Sequence, residues 1–352
     1  MILGIAIAQK TLESGFQLLA KIGSFDLTED VLEKIFEAHS NNSSRTVELS
    51  ESEEFYLSFL ISSIISKAII VITDNKEENI NNVSILSDFA DLINYRSLDA
   101  EQVQEKLSQL YNWLILSKFD SEEVQLLLYL QNPVKKEIIE LLRNSRSLQK
   151  KRLFLILEQD FPNLDIHQYN HLIEELEREK YIKVEKNTNY ELVEIINDIA
   201  VYLRPNVSII KNLNKNGLPK QLIHNAMEEI KITLNNFDPF RLSFDQICEL
   251  VLNLQIYKII LILKSTIIRK TQIDNFKTLD PEEVNFPLKI LWQNGLIHSI
   301  RDETQEEYYI LIRDICVEKQ RSEIKRIYED VIWDNVIKDL KKLDIKMDAN
   351  KK

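Results

Sequence analysis

Residues 55–73 read FYLSFLISSIISKAIIVIT, an apolar run close to the ~20 residues that a helix needs to cross a bilayer. Lys67 and the serines Ser58, Ser62, Ser63 and Ser66 interrupt it, and β-branched residues crowd its second half. Two buried strands joined by a turn at Ser66-Lys67 fit this pattern better than a spanning helix. No membrane span is therefore expected.

The neighbouring residues extend the same pattern. Residues 3–9 are apolar and β-branched, residues 16–22 form a second apolar stretch, and Gly15 sits in the polar link between them, a hairpin signal. An amphipathic helix is predicted from Thr28, where Glu29 and Asp30 put carboxylates in the first turn and Val31, Leu32, Ile35 and Phe36 share one face. A polar loop over 40–45 ends it. Strands are expected at 46–50, 55–64 and 68–73, and helical spacing returns over 83–95, with Ile85, Leu86, Phe89, Leu92 and Ile93 apolar. The order β-β-α-β-β-β-α over residues 1–97 predicts an α+β domain, a five-stranded antiparallel sheet with its helices against one face.

This order, with MILGIAIAQ as a short first strand and GFQLLAKIG after it, resembles the longin domain, a relative of the profilin-like and roadblock folds. The resemblance implies a protein-binding platform, with partners among small GTPases or subunits of trafficking complexes, and no chemistry.

Beyond Asp99 the periodicity is almost wholly helical. A helical connector is expected over 98–132, with one helix carrying Val103, Leu107, Leu110, Tyr111 and Leu114 and another over 122–130, stopped by Asn132-Pro133. Two stretches then share a layout. In residues 133–204, helices over 134–142 and 148–157 lead through a turn at Pro162. A third helix over 165–180 buries Ile166, Tyr169, Leu172, Ile173 and Leu176, and strands 181–185 and 190–193 flank a polar tip. In residues 253–317, a helix over 254–263 and a short one over 271–276 precede a third. That helix starts at Asp280-Pro281-Glu282-Glu283 and stops at Asn294-Gly295, and strands 296–301 and 308–313 enclose a charged tip. Three helices closed by a β-hairpin, with LKILWQNGLIHSI and YYILI in the second copy, resemble winged helix-turn-helix modules. The chain thus reads as α+β, then mostly α with two winged helices. A helical linker over 205–252, containing a helix at 221–234, separates them. Residues 318–352 form a tail, with one long helix over 318–343 that serves oligomerisation or docking, or packs back on its own domain.

The 352 residues are 44 % hydrophobic and 28 % charged, with a net charge of −12, which excludes disorder for the bulk of the chain and suits a dedicated nucleic-acid binder poorly. Only 5 Gly argue against a Gly-cradled nucleotide site, and no GxxxxGK[ST], GxSxG, HExxH or CxxC motif occurs. Cys248 and Cys316 lie in apolar stretches and read as core residues. His167 and His171 have the i, i+4 spacing of two zinc ligands but lack the accompanying Glu or Cys, and read as surface histidines. No enzyme, metal or cofactor is expected.

Nucleic acid is the competing partner. Winged helix 1 carries a basic cluster, Lys135, Lys136, Arg143, Arg146, Lys150, Lys151 and Arg152, read either as a solvated face or as a phosphate-binding one. His167, Gln168, Asn170 and His171 on its third helix, and Lys186 at its wing, complete the candidate contact set for nucleic acid or an acidic partner. Glu174 and Glu175 oppose it. Winged helix 2 instead exposes Glu282, Glu283, Asp302, Glu303, Glu306 and Glu307, which repel phosphates. The expectation is a cytoplasmic, non-enzymatic adaptor or regulator. The alternative is a transcription regulator binding DNA through winged helix 1.

Overall fold

A computed structural model describes residues 2–11, 15–41, 45–51, 54–62, 66–75, 83–94, 99–162, 164–188, 190–211, 213, 220–273, 281–302, 304–321 and 325–345. Asp280 and Glu303, read above as part of a helix start and of a wing, and Asn189, in the polar tip between residues 185 and 190, lie outside these residues. The chain divides into two compact units, Met1–Asn197 and Asp198–Lys352.

The first unit opens with strands β1 (Ile2–Thr11) and β2 (Gly15–Gly23), helix α1 (Glu29–Asn41), strands β3 (Thr46–Glu51), β4 (Glu54–Ser62) and β5 (Lys67–Thr73), and helix α2 (Val83–Asn94). The run at 55–73 is two strands, with Ser66 at φ 42 in the turn before β5. The five strands form one antiparallel sheet in the order β2-β1-β5-β4-β3. Thr28 caps α1 as expected, its hydroxyl accepting from the Val31 amide at 3.4 Å, and α1 runs through Ser40 and Asn41, where a loop was predicted.

The helices cover both faces of this sheet, not one. β1, β5 and β4 are the inner strands, and the stretches 4–8 of β1 and 68–73 of β5 are buried at every position. Side chains alternate along a strand, so a strand apolar at every position needs cover on both sides. Ala6, Ala8, Ala68, Ile70 and Ile72 pack with Val31, Leu32, Ile35 and Phe36 of α1. The alternate residues Ile5, Ile7, Leu57, Ile69 and Val71 have no exposed surface. Over that second set lie α2, which packs on β4, and α3 (Ala100–Leu116), which packs on β1, β2 and α2. Phe89 of α2 meets Trp113 of α3 edge-on, with ring centroids 6.1 Å apart. The helix expected to be a connector is thus a layer of the α+β domain. Its N-terminus is set by a capping box between Asp99 and Gln102.

After α4 (Glu122–Tyr129) come α5 (Pro133–Ser145), β6 (Ser147–Gln149), α6 (Lys150–Asp160), α7 (Ile166–Arg178), β7 (Ile182–Lys186) and β8 (Glu191–Ile195). Two expectations are corrected here. Leu148 does not begin a helix but lies in β6, paired with Val193, so α6 starts at Lys150. Ile166 is 65 % exposed instead of buried; it is the first residue of α7, beyond the reach of the core that takes Tyr169, Leu172, Ile173 and Leu176. The three short strands pair in the order β6-β8-β7.

The second unit repeats this arrangement. α11 (Leu254–Ser265), β10 (Ile268–Arg269), α12 (Lys270–Ile273), α13 (Pro281–Gln293), β11 (Ile297–Arg301) and β12 (Glu307–Leu311) form a sheet in the order β10-β12-β11. Gly295, at φ +68, ends α13 in the left-handed conformation. Two strands absent from the expected layout, β9 (Asn197–Pro205) and β13 (Arg313–Arg321), pair with each other. The residues at 318–321 are therefore strand, and the tail helix α14 is shorter, Lys325–Lys342. Its apolar stripe is occupied within the chain, since Ile332, Val336 and Leu340 are at most 1 % exposed. Helices α8 (Val207–Lys211), α9 (Lys220–Asn235) and α10 (Phe244–Val251) complete the unit. Among the described residues no single helix is long and apolar enough to cross a membrane. Cys248 is buried and Cys316 half-buried.

Candidate functional site

The first unit holds a buried charge cluster where α2, α5 and α7 meet. Asn132 starts α5: its side-chain oxygen accepts from the amides of Val134 and Lys135 at 3.0 and 3.2 Å, and Pro133 occupies the first helical position. Its amide nitrogen donates to Asp88 Oδ1 on α2 at 2.9 Å. Two residues further along the helix, Lys135 is 1 % exposed. Its ammonium donates to Asp88 at 2.9 and 3.2 Å and to Glu175 Oε1 on α7 at 2.8 Å. The same nitrogen lies 4.5 Å from the centre of the Tyr129 ring, which stacks on Tyr181 at 4.9 Å.

Two carboxylates share one cation here, so the cluster carries one surplus negative charge. Burial pushes the Asp88 carboxyl above the usual carboxylate range, against the pull of Lys135 and Asn132. Burial also opposes the charge on Lys135, but Asp88 and Glu175 outweigh it and hold the lysine above its ordinary value. A buried group of this kind stabilises only while every member is satisfied. Asn132→Ala is expected to cost about 2 kcal/mol, about half from the lost helix cap and about half from the lost bond to Asp88. Urea denaturation of the two proteins checks it.

Above the cluster a cleft of about 250 Å³ opens between the α+β domain and α7. Arg45, Ser87 and Asp88 form one wall; His167, Gln168 and His171 form the other. Helix α7 is set by a capping box in which Asp165 Oδ1 accepts from the Gln168 amide at 2.8 Å and Gln168 Oε1 accepts from the Asp165 amide at 2.9 Å. Gln168 is thereby committed to the helix start. Asn170 donates to the carbonyl of Ile166 at 2.9 Å within its own helix. His167 and His171 are exposed as expected, and no group of three or more metal-ligating side chains forms among the described residues.

The basic set is dispersed by the fold. Lys135 leaves the surface altogether, a correction with a simple cause: it precedes Ile138, Ile139 and Leu142 by three, four and seven residues, so it lies on the buried stripe of α5. Lys136 and Arg143 are half-buried. Lys150 bonds to Glu191 at 3.0 Å, and Lys186 lies 3.9 Å from the same carboxylate. Arg146, Lys151 and Arg152 remain exposed. Asp88, Glu175 and Asn132, which bind the cluster together, were not among the candidates. The signal available was the lysine on an apolar helix face, which demands a buried acid. Comparison with protein-family models, curated proteins and solved structures finds no match for the chain.

Proposed function

We propose that this chain is a non-enzymatic adaptor or regulatory protein, in which a longin-like platform and two winged helices serve protein–protein interaction. The sheet order β2-β1-β5-β4-β3 with helices on both faces supports the longin-like reading of the first domain. The twice-repeated order helix–strand–helix–helix–strand–strand supports the winged helices.

One observation carries the choice of protein over nucleic acid. A DNA-reading winged helix presents its third helix to the major groove and surrounds it with free cations. Here the third helix, α7, opens instead on a cleft against the chain's own α+β domain, and Lys135 is locked between Asp88 and Glu175. In the second copy Asp302 folds its own turn, accepting from Thr304 and Glu306 amides at 2.9 Å, and Glu306 bonds to Thr271 at 2.8 Å. The described carboxylates of that wing disfavour an approaching phosphate.

Fluorescence anisotropy with a labelled duplex tests this reading on the full chain. The expected result is no binding at physiological salt, where even non-specific binders reach dissociation constants of roughly 10⁻⁴ to 10⁻⁶ M. A salt-dependent affinity that weakens when Lys151 and Arg152 are both changed to Glu would establish the DNA-binding alternative.

A further inference from the structure

The second unit contains a cleft of about 450 Å³ at the junction of β9, α8, β13 and α14. Arg204, Lys211 and Lys342 reach it from three different elements, and the Asp314 and Asp339 carboxylates lie in its wall. Asp339 is 3 % exposed and accepts from both Arg204 and Lys342, the latter at 2.7 Å. Burial works against its charge, yet the bonds from Arg204 and Lys342 outweigh it and keep its carboxyl below the usual range. Asp314 takes the ammonium of Lys264 at 3.2 Å, and burial raises its carboxyl above the usual range.

Three cations, Arg204, Lys211 and Lys342, thus line the cleft with two carboxylates, one of which is already paired with Lys264, a local surplus of positive charge in a chain of net charge −12. Two features separate this from a scatter of surface lysines. Asp339 anchors Arg204 and Lys342 from beneath while leaving each side chain about half exposed, at 44 % and 53 %. Their remaining donors are therefore held at the cleft with part of their conformational freedom already lost. Lys211 is exposed and forms no ion pair among the described residues. The volume lies within the roughly 300–1,000 Å³ of small-molecule sites, well above the needs of a single ion.

We propose that this cleft binds a small molecule bearing a phosphate or pyrophosphate group, with Arg204 and Lys342 as the positioned donors and Lys211 as the unpaired charge that completes the site. A guanidinium and two ammonium groups converging from separate elements match the several oxygens of such a group. This proposal does not depend on the proposed function.

Isothermal titration and thermal unfolding of the full chain with inorganic pyrophosphate, inorganic phosphate and sodium sulfate at equal ionic strength test the proposal. Pyrophosphate is expected to bind and to raise the melting temperature, phosphate to do so more weakly, and sulfate to have little effect. Lys211→Glu, at an exposed position that leaves Asp339 paired, should weaken pyrophosphate at least about tenfold while the unliganded melting temperature stays unchanged. Lys289→Glu, on the exposed face of α13, should bind as the parent does. Equal effects of sulfate and pyrophosphate, or undiminished binding by Lys211→Glu, would overturn it. So would duplex DNA binding that depends on Lys211 in the absence of pyrophosphate binding.

Discussion

Lys135→Met is expected to destabilise the first unit by about 3–5 kcal/mol near neutral pH, the cost of leaving buried charge without its partner. Methionine matches the length of the lysine stem and keeps the contact with Tyr129, so lost packing contributes little. What remains is Asp88, pressed toward its protonated form by burial, facing Glu175 around an apolar group. The Asp88 carboxyl, already above the usual range, loses the cation that lowers it, so the folded state binds its proton more readily. Stability lost at neutral pH therefore returns as pH falls through the raised Asp88 value toward the ordinary carboxylate range.

In the parent protein the raised pKa of Lys135 acts elsewhere on the scale. Its contribution is complete below the ordinary lysine pKa and is lost only as pH rises through the higher folded value. Denaturant unfolding at about pH 8 and about pH 5.5 distinguishes the two. The deficit of the variant should shrink on acidification, and adding Asp88→Asn should recover part of it at the higher pH. A deficit that is small and the same at both values would mean that the cluster is hydrated and contributes nothing.

Gly4→Ala should be nearly as damaging, for a steric reason. A Cβ at Gly4 would stand 2.2 and 2.3 Å from two ring atoms of Phe25 and 2.5 Å from the carbonyl oxygen of Ile22. The ring belongs to the core over α1 and has nowhere to swing without displacing it. The carbonyl belongs to β2, whose register with β1 pairs Gly4 with Gly23 and Ile5 with Ile22. A loss of about 3 kcal/mol, the upper range for overpacking, is expected in thermal or chemical unfolding. The double variant Gly4→Ala/Phe25→Leu relieves only the ring clash, so it should regain part of the stability and no more. Full recovery would show that the β1–β2 approach tolerates a methyl group.

The α+β domain was largely legible because its information is local and periodic. The unbroken apolar character of residues 68–73 and 3–9 marks inner strands, and the 3.6-residue spacing at Val31, Leu32, Ile35 and Phe36 marks α1. The same unbroken character also implied cover on both faces, which the expected one-sided layer overlooked. Short or half-exposed strands carried no such signal. β6 has three residues, and its only reason to be extended is the partner supplied by Leu192, Val193 and Glu194 more than 40 positions later. β9 and β13 likewise depend on each other across the second unit.

The candidate cations divide in the same way. That Lys135, Lys136, Arg143, Arg146, Lys150, Lys151 and Arg152 crowd one region is a property of composition, and read as a line they resemble a phosphate-binding face. Whether a lysine meets phosphate, carboxylate or water depends on what stands opposite it. Asp88 is 47 residues before Lys135 and Glu175 is 40 after it, and Arg204 meets Asp339 across 135 residues. Periodicity and caps reach a few residues along the chain, so the sequence by itself determined the strands of the five-stranded sheet and of the two hairpins, and most helices. Charge pairing acts through space, at about 3 Å, and only the tertiary structure decided which cations were consumed in holding the first unit together and which were gathered around the cleft of the second.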